Sequence, residues 1–131
     1  MEFTVIRTIL TLAFLLLPLT CLADTYLCVG EAGAAVEHGG EAGIKAGLYD
    51  VAKSRYVVSD ASGSWQFKEL GKDRSPLECL NESYCEVKGG FSSFFMREKD
   101  SNTFTYVSLV VFEPDFKRKI LYTVKGTCSK L

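Results

Sequence analysis

The chain has 131 residues, 47% of them hydrophobic and 24% charged, with 15 Lys and Arg against 16 Asp and Glu for a formal net charge of −1. That length holds one domain with a modest core. The even charge balance excludes a global field that would draw nucleic acid or an anionic membrane.

Residues 1–23 read as a removable export signal. Arg7 lies in a short head, residues 9–17 form an apolar run, and Cys21-Leu22-Ala23 offers small residues at the positions a signal peptidase reads. The run is too short to span a bilayer, which takes about 20 apolar residues. Cys21 lies where a lipid-modified cysteine would, but Pro18, Leu19 and Thr20 ahead of it match lipid-attachment signals poorly. The expected product is a single exported β domain, residues 24–131, periplasmic or secreted, with no stable membrane insertion once the signal is gone.

Residues 26–29 have the composition of a short first strand. Residues 30–47 then hold more than half of the chain's 11 glycines, with Gly-Glu-Ala-Gly at both 30–33 and 40–43. Such a segment predicts a mobile loop available for binding. From Leu48 onward, short β-branched and aromatic runs alternate with turn residues. Residues 48–52 and 55–59 are expected to pair through a tight hairpin at Lys53-Ser54. A turn at 60–63 leads into a half-buried strand, 64–70, with Trp65 and Phe67 on one face.

Residues 71–84 contain Pro76 and several charges and read as a long loop. Strands are expected over 85–88 and 91–99, followed by a turn at 100–102. The strongest strand is 103–112, apolar on both faces and therefore expected well inside the sheet. Pro114 turns the chain into a last strand, 117–127, with Ile120, Tyr122 and Val124 inward. These elements predict an all-β fold, a small antiparallel meander closing into a β-barrel, with a sandwich as the alternative.

Four cysteines lie beyond the signal: Cys28, Cys79, Cys85 and Cys128. An even count in a small exported domain predicts two disulfides, for which three pairings exist. Cys79 with Cys85 would bracket a short loop, and Cys28 with Cys128 would join the first strand to the last, as barrel closure requires. Charge is uneven along the chain: residues 24–85 carry 6 basic and 10 acidic side chains, and residues 86–131 carry 8 and 5.

No motif points to a cofactor, a metal or a catalytic centre. His38 is the single histidine, yet no G-x-S-x-G elbow accompanies it and no thiol is expected free, so a solvated loop histidine is the simpler account. Glu31, Glu37 and Glu41 lack the EF-hand spacing for calcium. Lys117-Arg118-Lys119 fits the solvated start of an edge strand better than an anion site. Phe91, Phe94, Phe95, Phe104, Tyr106 and Phe112 fit a core at period two better than a ligand pocket. The candidate partner contacts are Ser62, Gly63, Trp65 and His38.

Several short features together resemble a family of small exported proteins of Gram-negative bacteria and their phages. They are Tyr26-Leu27-Cys28, Trp65 followed by Gly71, the Cys79 and Cys85 pair, Phe94 to Met96 ahead of a hairpin, and the ending Gly126-Thr127-Cys128-Ser129-Lys130-Leu131. This resemblance implies a small exported domain and brings no activity with it. Ser62-Gly63-Ser64-Trp65 is more distantly similar to the Ser-Gly-x-x-Tyr loop of MliC-type periplasmic lysozyme inhibitors, with the aromatic one residue early. That likeness implies a disulfide-bonded β-barrel that inserts a loop into the lysozyme cleft.

The function expected is therefore that of a non-enzymatic binding protein of the bacterial envelope, meeting a protein or cell-wall component through residues 30–47 and 71–84. Nucleic acid is not an expected partner. The alternatives are a lysozyme inhibitor using residues 60–65, a lipocalin-like carrier with an open interior, and a hydrolase with two convergent titratable groups.

Overall fold

The computed structural model describes residues 23–41, 43–87, 92–112, 114 and 117–131. The expected export signal and Cys21 fall outside these residues, apart from Ala23. The described residues form nine strands and no helix: β1 (Thr25–Gly40), β2 (Gly43–Leu48), β3 (Arg55–Ser59), β4 (Gln66–Glu69), β5 (Leu77–Asn81), β6 (Tyr84–Glu86), β7 (Ser93–Arg97), β8 (Thr103–Val111) and β9 (Lys119–Lys130).

Alternation of buried and open positions is strict along β3 and β8, where β-branched and aromatic residues favour an extended chain with one face on a core. All pairings are antiparallel, and each strand from β3 to β9 pairs with the next. β9 then returns to β1, so β1 and β3 to β9 close an eight-stranded barrel while β2, among the described residues, attaches to β1 alone. Closure removes the free edges that a meander would otherwise expose.

The interior is filled with rings. Tyr56, Phe67, Phe95, Phe104 and Tyr106 pack in pairs with centroids 4.8–5.7 Å apart. That is the range in which tilted and offset aromatic pairs attract beyond their burial. Tyr122 and Val124 of β9 complete this core, as their inward assignment predicts.

At the seam, Cys28 is opposite Cys128 and the two are disulfide-bonded; Cys79 and Cys85 are likewise opposed and bonded across β5 and β6. The expected pairing holds. Close approach at the seam also requires Gly126, because a Cβ there would lie 1.9 Å from the Val29 carbonyl oxygen and 2.8 Å from the Phe104 ring. The acidic and basic parts of the chain meet here too: Lys130 pairs with Asp24 at 2.7 Å, and Arg118 pairs with Glu37.

Four expectations are corrected. Residues 30–41 and 43–47 belong to a bulged hairpin rather than a mobile loop, because β9 and β2 satisfy both edges of the extended β1. Residues 48–52 do not pair with β3 through Lys53-Ser54; β3 pairs with the first part of β1, and 49–54 form the connection. Residues 71–84 contain β5, which the short disulfide holds against β6. Lys119 begins a strand flanked by β1 and β8, so it is not at a sheet edge.

Candidate functional site

β1 changes partner midway. Its residues Thr25 to Val29 pair with β3; after a bulge at Gly30 to Ala32, residues Ala34 to Gly40 pair with β2, while β9 follows β1 throughout. A bulge re-aims a strand, and here β1 exchanges its partner β3 for β2, which with it forms an arm along the barrel wall. The arm is four strands wide, in the order β2, β1, β9 and the end of β8.

Directly opposed residues share a face, so the register gives the arm's outer surface row by row. Leu48 lies beside Ala34; Ala46, Val36, Leu121 and Leu109 form the next row; Ile44, His38, Lys119 and Val111 form the last. These apolar side chains are open to solvent: Leu48 is 96% exposed, Ile44 71%, Leu121 47% and Val36 41%. At about 4.8 Å between strands and about 3.4 Å per residue, the patch covers on the order of 300 Å². That is within the range of the largest apolar patch on a single chain, and such patches are often functional.

The arm's other face is polar at its tip. Arg118 pairs with Glu37 and lies over the Phe112 ring at 4.6 Å, with Lys45 lining the same cleft. Gly39 adopts a φ of 83°, and a Cβ there would strike the Lys117 carbonyl. This tip is therefore tightly built. Glu31, in contrast, accepts a hydrogen bond from the Thr127 hydroxyl at 2.7 Å, so the three glutamates of the segment are not gathered into a calcium cage. Among the described residues, no group of three or more His, Cys, Asp or Glu is arranged to hold a metal ion.

The structure separates the sequence-derived contact residues. Ser62 and Gly63 are exposed in the β3–β4 turn, where the Gly63 amide donates to the Asp60 carbonyl at 2.9 Å and Gly63 has a φ of 92°. Trp65 is half-buried beside Tyr26, with centroids 6.2 Å apart. His38 lies twelve residues further along β1 than Tyr26, about 40 Å of extended strand. Hence His38 belongs to the arm, and Trp65 belongs to the barrel wall.

Two polar clusters were not foreseen. At one end of the barrel, Arg74 donates to the Tyr122 hydroxyl at 3.3 Å and lies 4.0 Å from the buried Glu69 carboxylate, while Tyr49 stacks on Tyr122 at 4.8 Å. Burial pushes the Tyr106 phenol up to about 12 and the Tyr56 phenol higher as well. Ser93 and Ser108 share a hydrogen bond of 2.8 Å there, but the chain's histidine is on the arm, so neither hydroxyl has an imidazole base. Elsewhere, buried Arg97 donates to Asn102 Oδ1 at 2.9 Å and lies 4.0 Å over the Tyr26 ring. A lone arginine after an aromatic run offered no sequence signal for this role.

No protein-family model matches the chain, and no curated protein or solved structure matches it.

Proposed function

We propose that this chain is an exported, non-enzymatic binding protein of the bacterial envelope, and that it meets a protein partner through the outer face of the β1–β2 arm. The observation that carries this is the aliphatic surface of Val36, Ile44, Ala46, Leu48, Leu109 and Leu121, exposed across four strands. Aliphatic side chains on a flat sheet suit the apolar centre of a protein interface, with His38 and Lys119 as its polar rim. The same surface lacks the aromatic platforms and convergent polar groups that a cell-wall sugar would need. Two disulfides are compatible with the oxidising compartment that such a role implies.

The alternatives have less support. A carrier needs interior space, and the barrel axis is occupied by contacting rings. An inhibitor that inserts residues 60–65 into a cleft needs its aromatic at the loop tip, whereas Trp65 is partly buried against Tyr26.

The test is affinity capture from an envelope extract with the oxidised protein, set beside the double variant Val36→Lys/Leu121→Glu, whose opposed side chains carry opposite charges. Both positions are open, so the variant should keep the melting temperature of the wild type. A protein retained by the wild type and lost with the variant is the expected result; identical retention by both would remove the arm from the function. A lysozyme activity assay with the wild type examines the inhibitor alternative in parallel.

A further inference from the structure

Among the described residues, β2 has a strand on one side only. The Tyr49 amide donates to the Gly33 carbonyl at 3.0 Å, and the register from Ala34↔Leu48 to His38↔Ile44 runs without a break. In an antiparallel ladder the groups that face one neighbour alternate with those that face away. Odd-numbered residues of β2 therefore bond β1, and the N–H and C=O of Ile44, Ala46 and Leu48 point outward. All six residues of β2 are exposed, and the strand has no proline. These are the conditions under which a strand edge templates another strand.

We infer that β2 pairs antiparallel with β2 of a second copy of this chain, about a twofold axis at Ala46. Three registers bring two or more outward-facing pairs of the strand opposite one another. Centring on Lys45 sets Lys45 against Lys45 of the other copy, and centring on Gly47 leaves Ile44 opposite Asp50, beyond the strand. Centring on Ala46 uses the whole element: Ala46 faces Ala46, and Ile44 faces Leu48 twice. Each such pair exchanges two backbone bonds, about six in all. Lys45 then faces Gly47 rather than another lysine. The strand is thus complementary to itself, as an isologous contact must be.

With the axis normal to the sheet, the outer faces of both arms lie on one side and form a single apolar surface of about twice the area. The pairing stands whether or not that surface has a further partner. A six-residue edge buries well below the roughly 1,000 Å² of a tight interface, so the dimer is a weak one, forming at tens of micromolar and above.

The test is sedimentation of the oxidised protein from about 10 μM to about 1 mM. The expected wild-type mass rises from one chain toward two. Ala46→Pro removes the central outward N–H without touching the β1–β2 ladder and should weaken association at least about tenfold. Gly47 is the sharper probe, because a Cβ there meets nothing in the single chain. Gly47→Lys places lysine opposite Lys45 and should weaken association; Gly47→Glu places a carboxylate there and should strengthen it several-fold. A wild type that stays at the mass of one chain up to 1 mM overturns the inference, as does a shift of both Gly47 variants in the same direction.

Discussion

Cys128 of β9 is opposite Cys28 of β1, one hundred residues away in sequence, and their bond closes the barrel at the strand pair that a linear meander leaves open. The Cys79–Cys85 bond spans only six residues. In the chain-entropy account, a loop of about one hundred residues is worth about 4.7 kcal/mol and the short one about 2.4 kcal/mol. Cys28→Ser/Cys128→Ser should therefore lower unfolding free energy about twice as much as Cys79→Ser/Cys85→Ser, measured by urea unfolding of the two double variants. Equal losses would mean that the long bond does not restrict the unfolded chain.

The same seam makes Gly126 sensitive. Its added methyl would fall 1.9 Å from a backbone carbonyl that is itself paired, so β1 and β9 would have to separate. Gly126→Ala should cost about 3 kcal/mol, the upper range of overpacking effects. Gly47→Ala, where a Cβ meets nothing, should change stability by less than about 0.5 kcal/mol. Thermal melts of both variants at low concentration, where association is absent, give the comparison.

What was legible in the sequence and what was not divide along one physical line. Strands β8 and β9 carry apolar residues every second position toward a core, and those periods are sufficient to place Phe104, Tyr106, Tyr122 and Val124. The arm inverts that pattern. Val36, Ile44 and Leu48 point to solvent, and Ala35, Glu37, Lys45 and Gly47 occupy the side toward the barrel axis. Of those four only Ala35 packs against the core, so the arm's alternation carries little burial signal, and its glycines suggest a loop. The Lys53-Ser54 hairpin failed for a related reason, since β3 takes its partner from the distant start of β1. His38 was singled out for being the only histidine; its place beside Ile44 and Lys119 follows from register alone.

Arg97 was equally hidden, yet it is the most enclosed charge described. It is 6% exposed, bonded to Asn102, 3.6 Å from Glu82 and stacked on Tyr26, whereas neighbouring Lys99 also reaches Glu82 but is open to solvent. Removing the enclosed partner leaves buried polar groups without it, while removing the open one loses a screened pair. Arg97→Ala should lower stability by about 3 kcal/mol and Lys99→Ala by less than about 1 kcal/mol. Losses of similar size in denaturant titrations would contradict the assignment of Arg97 to the core.

Alkaline pH should unfold the barrel through its interior phenols. Burial raises the folded-state titration of Tyr106 from the ordinary phenol value of 10.0 to about 12, and it raises Tyr56 in the same direction. Below pH 10 both states hold these protons, so stability is unaffected. Between about 10 and 12 the unfolded chain releases them and the folded chain keeps them. The unfolded state then binds fewer protons, and unfolding free energy falls by about 1.4 kcal/mol per pH unit for each phenol. Phenolate absorbance should accordingly rise in two stages: the accessible tyrosines first, then the interior ones together with loss of the near-ultraviolet circular dichroism. Tyr106→Phe should flatten the pH dependence of unfolding over that window. If it leaves the slope unchanged, Tyr106 is not among the groups that hold their protons in the folded barrel.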